Sequence, residues 1–225
     1  MKKYLGVILA ATVTLTACGE KSEGEKTSKK ESAIHTEQIS KQKHQIKKEN
    51  GVTKIDNLIL VNKKVPISKS YNKGEDTVAR TQLNKMIEDG RKHGLNILYR
   101  SGFRSYAEQT QLYNSYVQRD GKAAADKYSA APGTSEHQTG LAFDVGTNPS
   151  NADFKAAFGQ TREGKWLADN AYKYGFILRY PKGKEKITGY QYEPWHFRYV
   201  GKKDAKKIHA QHLTLEEYLD YGYKK

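Results

Sequence analysis

Apolar positions fall at helical spacing across residues 78–93, where Val78, Leu83, Met86 and Ile87 share one face and Gly94 supplies a C-terminal cap. Residues 95–99 then alternate as a strand and lead into Ser101-Gly102-Phe103-Arg104. Ser105 with Glu108 three residues on is a capping box, which predicts a helix to about Arg119. A short Ala-rich helix is expected over 122–128, and Pro132-Gly133 opens a loop before a strand at 141–145. Residues 166–174 are amphipathic and end at Gly175, and 176–180 read as a further strand. A glycine-containing loop spans 181–190, 193–200 read as the last core strand, and Thr214 with Glu217 caps a terminal helix. Helices and strands are interspersed without an internal repeat. The class expected is α+β, one compact domain with a small, mainly antiparallel sheet and flanking helices.

The first fifty residues break this pattern. Lys2 and Lys3 precede an apolar stretch over 4–17 that is too short to span a bilayer but has the form of a secretory h-region. It closes in Leu15-Thr16-Ala17-Cys18, which resembles the bacterial lipobox, and Cys18 is the single cysteine of the chain. Cys18 is therefore expected to be diacylated, since two acyl chains anchor a protein stably where one does not. Residues from Gly19 to about Asn50 are Lys, Glu, Ser, Gln and His with almost no large apolar side chain, a composition that cannot offset its ordering entropy. The organisation expected is a lipoprotein signal peptide at 1–17, lipidated Cys18 with a disordered tether over 18–50, and a folded domain over 51–225. His35 and His44, inside the tether, read as solvated.

Charge narrows the setting. Of the net +14, two charges come from Lys2 and Lys3 and two from the tether's eight Lys against six Glu, which leaves about +10 on the domain. A basic surface can serve nucleic acid, but no helix-turn-helix, RNA-binding signature or cysteine-ligated finger is present, and nucleic acid is not expected as a partner. An exported, membrane-anchored protein meets anionic envelope polymers first, and these stand beside a merely solvated cationic surface as readings of the excess charge. The expected location is the outer face of the cytoplasmic membrane, in the cell-wall zone, as a monomer.

Two segments carry the chemistry. Ser135-Glu136-His137-Gln138-Thr139-Gly140-Leu141-Ala142-Phe143-Asp144 and Glu193-Pro194-Trp195-His196 supply two imidazoles, a carboxylate ligand and a spare carboxylate. That is the inventory of a zinc site with one position open to water. Gly140 permits close backbone approach between His137 and Asp144. Glu193 and His196 are near enough for one to ligate while the other contacts the water. A regular strand would put them on opposite faces, so a local distortion near Pro194 is required. His209-Ala-Gln-His212 has same-face helical spacing but no nearby carboxylate with a clear role, and reads as surface or packing. Arg104 stands at a strand-to-helix corner with Gln109 in the following turns. It either pairs with a surface carboxylate or fixes a substrate carboxylate bidentately. Serine chemistry is disfavoured: Ser40-Lys41-Gln42-Lys43 lies in the tether, Ser70-Tyr71-Asn72-Lys73 lies in a short loop, and no Lys-Thr-Gly follows.

These segments, with Ser101-Gly102-Phe103-Arg104-Ser105-Tyr106, Gln109 and Tyr174-Gly175-Phe176-Ile177-Leu178-Arg179-Tyr180, resemble the VanY-type D-alanyl-D-alanine carboxypeptidases and the related L,D-carboxypeptidases of peptidase family M15B. Four motifs occur in order between about Leu58 and Val200. The resemblance implies an M15B-like fold for the 51–225 domain and one zinc ion held by His137, Asp144 and His196. It further implies Glu193 as catalytic base and Arg104, Gln109 and Ser135 as substrate contacts; Trp195, between Glu193 and His196, is expected to form an apolar wall of the substrate site. Arg104 would hold either the terminal carboxylate or the developing oxyanion. The implied activity is a zinc-dependent carboxypeptidase removing the terminal D-alanine of peptidoglycan stem peptides by metal-activated water. The competing readings are a zinc endopeptidase cutting within those peptides and a cell-wall-binding module without catalysis. Where relatives often carry Arg before Pro-Gly, this chain has Ala131-Pro132-Gly133.

Overall fold

The computed structural model describes residues 44–223. The expected signal peptide, Cys18, His35 and most of the tether lie outside the described residues. Among the described residues no helix is long and apolar enough to cross a membrane.

The chain opens with a three-stranded antiparallel sheet of β1 (Ile46–Glu49), β2 (Val52–Ile55) and β3 (Leu58–Leu60), in the order β1-β2-β3. Asn50 and Gly51, both with positive φ (50° and 78°), close the first hairpin as the Asn-Gly pair favours. Strand β1 lies inside the segment read as tether, so folded structure begins before Gly51 and that boundary is corrected. Side-chain composition hid it because all four β1 residues are exposed and the strand is held by backbone pairing. His44 is likewise not free, since its Nδ1 lies 2.7 Å from Asp56 Oδ2.

Helix α1 (Thr77–Lys92) starts on Asp76, whose carboxylate accepts from the Ala79 N–H, and buries Leu83, Met86 and Ile87. Then come β4 (Ile97–Ser101), α2 (Tyr106–Asp120), α3 (Lys122–Tyr128) and a 3₁₀ turn at Glu136–Thr139. The Ser105–Glu108 capping box that opens α2 is formed reciprocally. Next are β5 (Ala142–Thr147), α4 (Arg162–Asn170), β6 (Phe176–Leu178), α5 (Glu185–Thr188), β7 (His196–Tyr199), α6 (Lys202–Ala210) and α7 (Leu215–Leu219). The four later strands form an antiparallel sheet in the order β4-β5-β7-β6, which places buried β5 in the interior.

Two apolar clusters hold these layers. Leu83, Met86, Phe143, Val145, Phe176 and Phe197 pack α1 against the four-stranded sheet. Ile55, Leu60, Ile177, Ala205, Ile208 and Leu215 join the N-terminal sheet to α6 and α7. The class is α+β with small antiparallel sheets, as the sequence predicts. The expected strand at 193–200 is shorter: Glu193, Pro194 and Trp195 form a turn closed by the His196 N–H donating to the Glu193 carbonyl at 3.1 Å, and β7 starts at His196.

Candidate active site

Sheet register brings the metal candidates together. Asp144 on β5 stands opposite His196 on β7 and opposite Ser101 on β4, and directly paired residues of antiparallel strands share a face. The Gly140 φ of +74° returns the chain from the 3₁₀ turn into β5, and a Cβ there would lie 2.1 Å from the Gly74 carbonyl oxygen. This turn sets His137 beside Asp144.

His137, Asp144 and His196 are buried and each offers a ligand atom within 4.8 Å of the others, the one such group of three among the described residues. His137 Nε2 lies 3.3 Å from Asp144 Oδ2, and His196 Nδ1 lies 3.0 Å from Asp144 Oδ1. Donors held about 2.0–2.1 Å from a tetrahedral zinc stand about 3.3 Å apart, so these separations fit that ion. His137 Nδ1 donates to the Gly102 carbonyl at 2.7 Å, which fixes the tautomer and leaves the Nε2 lone pair toward Asp144. Two nitrogens and one oxygen form a zinc-type donor set.

Burial opposes the Asp144 charge, but both imidazoles outweigh it and hold the carboxyl well below the usual carboxylate range. Burial lowers His137. It acts the same way on His196, yet the hydrogen bond to Asp144 and the neighbouring Glu136 carboxylate overcome it and push that imidazole up to about 9. Glu193 is buried in the same pocket, where desolvation pushes its carboxyl up to about 8 against the opposing charge of His196.

The pocket, about 430 Å³, joins this group to Arg104, Gln109, Ser135 and Trp195. Arg104 sits at the β4-to-α2 corner, its backbone N–H donating to the His137 carbonyl at 3.2 Å. Its guanidinium donates to Gln109 Oε1 at 2.8 Å and to Ser101 Oγ at 3.2 Å. Gln109 Nε2 in turn donates to the Ala130 carbonyl at 2.6 Å. Gln109, expected from the resemblance to contact substrate, has its amide engaged by Arg104 and the Ala130 carbonyl and orients Arg104. The Ser135 hydroxyl makes no hydrogen bond among the described residues and lines the pocket. His209 stacks on the Tyr172 ring at 4.2 Å, in keeping with a packing role.

Sequence reasoning gave no role to Glu136, Arg179, Arg198 or Glu216. Glu136 Oε1 accepts from Arg179 Nε at 2.8 Å and from Arg198 Nη1 at 2.6 Å. Arg179 also forks onto both Glu216 oxygens at 2.8 and 2.7 Å. All four side chains are fully buried. The only local signal was an arginine in each of two apolar segments, Ile177-Leu178-Arg179-Tyr180 and Phe197-Arg198-Tyr199, where a buried guanidinium needs a buried partner. Tyr180 and Tyr190, tilted against each other with ring centres 4.7 Å apart, and the His196 ring 4.9 Å from Tyr180, complete the wall.

The family model VanY, D-alanyl-D-alanine carboxypeptidase, matches residues 73–202. YodJ of Bacillus subtilis (strain 168) is 42% identical over 198 residues, 78% of this chain and 72% of that protein. The L,D-carboxypeptidase DacB of Streptococcus pneumoniae has a TM-score of 0.74 at 47% identity, covering 81% of this chain and 99% of that one. The vancomycin-resistance D,D-pentapeptidase VanY of a VanB-type cassette, solved in complex with Zn(II), has a TM-score of 0.62 at 37% identity, covering 72% and 97%. Fold and donor set define a zinc metallocarboxypeptidase of α+β architecture. The chain belongs to the VanY D-alanyl-D-alanine carboxypeptidase family.

Proposed function

We propose that this enzyme removes the terminal D-alanine from peptidoglycan stem peptides, with zinc held by His137, Asp144 and His196. The observation that carries the exopeptidase reading is Arg104, oriented by Gln109 and Ser101 into the pocket that holds the metal group. A forked donor so placed suits a free terminal carboxylate. A zinc ion held by these three residues would supply Lewis acidity, lowering the pKa of a water molecule and offsetting negative charge on the scissile carbonyl oxygen. Glu193, desolvated beside His196, takes a proton from the attacking water and delivers it to the leaving amine. Ser135 offers a neutral hydrogen bond to the substrate, and Trp195 excludes water on one side.

The same reading extends to the cell. The h-region and Cys18 support export and lipid anchoring, which would hold the catalytic domain at the outer face of the cytoplasmic membrane beside its polymer. Lys202, Lys203, Lys206 and Lys207 are exposed on α6, a cationic face suited to anionic envelope polymers. Mass spectrometry of defined muropeptides tests the activity. Loss of one terminal residue is expected, and internal scission would establish the endopeptidase alternative instead.

A further inference from the structure

A second pocket, of about 400 Å³, shares no lining residue with the active-site pocket. The N-terminal sheet closes it through Val52, Lys54 and Ile59, the start of α1 through Asp76 and Thr77, and the turn that carries His137 through Thr139. Tyr71 lies in its wall, only 7% exposed, and the Tyr71 hydroxyl has no hydrogen-bond partner among the described residues. A phenol buried to that extent is costly without a partner, and the partner has to come from the pocket. Burial pushes the phenol up, so the hydroxyl stays neutral and can donate. The acids around it are engaged: Lys54 Nζ donates to Glu49 at 2.7 Å, Arg80 to Glu75 at 3.1 Å, and the Ala79 N–H to Asp76 at 2.8 Å. The donors are not. Lys73, 5.8 Å from the centre of the Tyr71 ring, makes no hydrogen bond or ion pair among the described residues. The N–H groups of Thr77 and Val78 open α1, a helix of 16 residues, and have no acceptor within it.

We propose that this pocket is a second ligand site, which takes the phosphate group of a phosphate ester. What the pocket lacks is an acceptor that several donors can share. The Tyr71 hydroxyl and the Lys73 ammonium come from one segment and the free N–H groups from the start of α1, and a tetrahedral anion presents oxygens to both sides. A carboxylate has only two oxygens, both in one plane. Val52, Ile59 and Leu141 offer an apolar wall to the ester's carbon skeleton. The segment is held in place by the turn beside it: Gln138 Nε2 donates to the Ser68 and Tyr71 carbonyls at 2.8 and 3.0 Å, and the Asp76 N–H donates to the Gly140 carbonyl at 3.0 Å. Neither Tyr71 nor Lys73 belongs to the catalytic machinery, so the site stands whatever peptide the enzyme cuts.

Calorimetric titration of the zinc-loaded enzyme with glycerol 3-phosphate, a monoester, and with glycerophosphoglycerol, a diester, tests this. At least one should bind saturably, with Kd on the order of 1 mM, whereas glycerol should not bind. Tighter binding of the diester supports the site with a headgroup or polymer as source, and tighter binding of the monoester supports it with a soluble metabolite. Tyr71→Phe and Lys73→Gln should each weaken binding by about tenfold, the size of a lost hydrogen bond to a charged group. The Tm of ligand-free Tyr71→Phe should equal or exceed that of wild type, since the hydroxyl removed has no partner; if it falls, Lys73→Gln, at an exposed residue, decides the question. Zinc and the lysines of α6 also attract phosphate, so binding that Lys73→Gln and Tyr71→Phe leave unaltered overturns the site. No saturation by either ester at ten times the expected Kd overturns it as well.

Discussion

Glu136 Oε2 lies 3.6 Å from His196 Nε2, and among the described residues neither atom has a hydrogen-bond partner. The other nitrogen of the same ring faces Asp144 at 3.0 Å. The imidazole is therefore set between a carboxylate of the metal group and a carboxylate behind it, the arrangement that orients a ligating histidine and raises its basicity. Burial opposes the Glu136 charge, but the Arg179 and Arg198 guanidiniums overcome it and hold the carboxyl well below its ordinary range. Glu216 on α7 fixes Arg179 from the other side, although it lies beyond the residues matched by the family.

Glu136→Gln should weaken zinc binding by about 10- to 100-fold, the size expected when the support of a ligand is lost. Glu216→Gln should act in the same direction more weakly, through Arg179. Competition with a chromogenic chelator measures both. Unchanged zinc affinity in Glu136→Gln would mean that Glu136 only balances the buried arginines.

Zinc entry should release protons. In the metal-free protein His196 is pushed up to about 9 and so carries its proton at neutral pH, whereas ligation needs a free lone pair. Below about pH 9 zinc affinity should fall by roughly tenfold per pH unit for this one group. Calorimetry at pH 7 in buffers of different ionisation enthalpy should show at least one proton released per zinc, and no buffer dependence would contradict the protonated state. Chelator should abolish activity and zinc restore it.

Glu193 gives a stability signature distinct from its catalytic one. Its carboxyl titrates near 4.5 in the unfolded chain but keeps its proton to about 8 in the metal-free native state. Between these values the native state binds more protons, so stability falls as pH rises from 4.5 to 8 and levels off above. Glu193→Gln lacks this titration. In chelator its Tm should match wild type near pH 4 and exceed it by on the order of 5 °C at pH 8. Turnover by the zinc-loaded variant should fall by about two orders of magnitude or more with zinc retained. A pH-independent Tm difference, or loss of the metal, would assign Glu193 another role.

What the sequence made legible follows from local rules. Capping boxes at Ser105 and Thr214 and the glycine after α1 depend on neighbours within one turn, and the structure forms them as expected. The spacing of His137, Asp144 and His196 was readable because their residue types are costly to bury without a shared purpose. Strand β1 was missed because exposed Lys and Glu hide backbone pairing, though Asn50-Gly51 signalled the hairpin. The Glu136–Arg179–Glu216 chain was not legible, since its members are 43 and 37 residues apart and meet only when α7 docks. The conflict between strand spacing and the Glu193–His196 pair dissolves in the turn at Pro194, a distortion that the expected chemistry itself required.

Arg104 tests the exopeptidase assignment. If its guanidinium clamps the free C-terminal carboxylate, Arg104→Lys should lower kcat/KM by about 10- to 100-fold despite conserving charge, because the fork oriented by Gln109 and Ser101 is lost. Amidating the substrate's C-terminus should harm wild type far more than the variant, since each change removes the same contact and the cycle should show strong coupling. An arginine that instead stabilises the oxyanion would lower kcat for both substrates by similar factors, and the two changes would then be additive. If wild type cuts amidated and free peptides equally fast, the terminal carboxylate is not recognised, and cleavage within the peptide becomes the activity that this pocket supports.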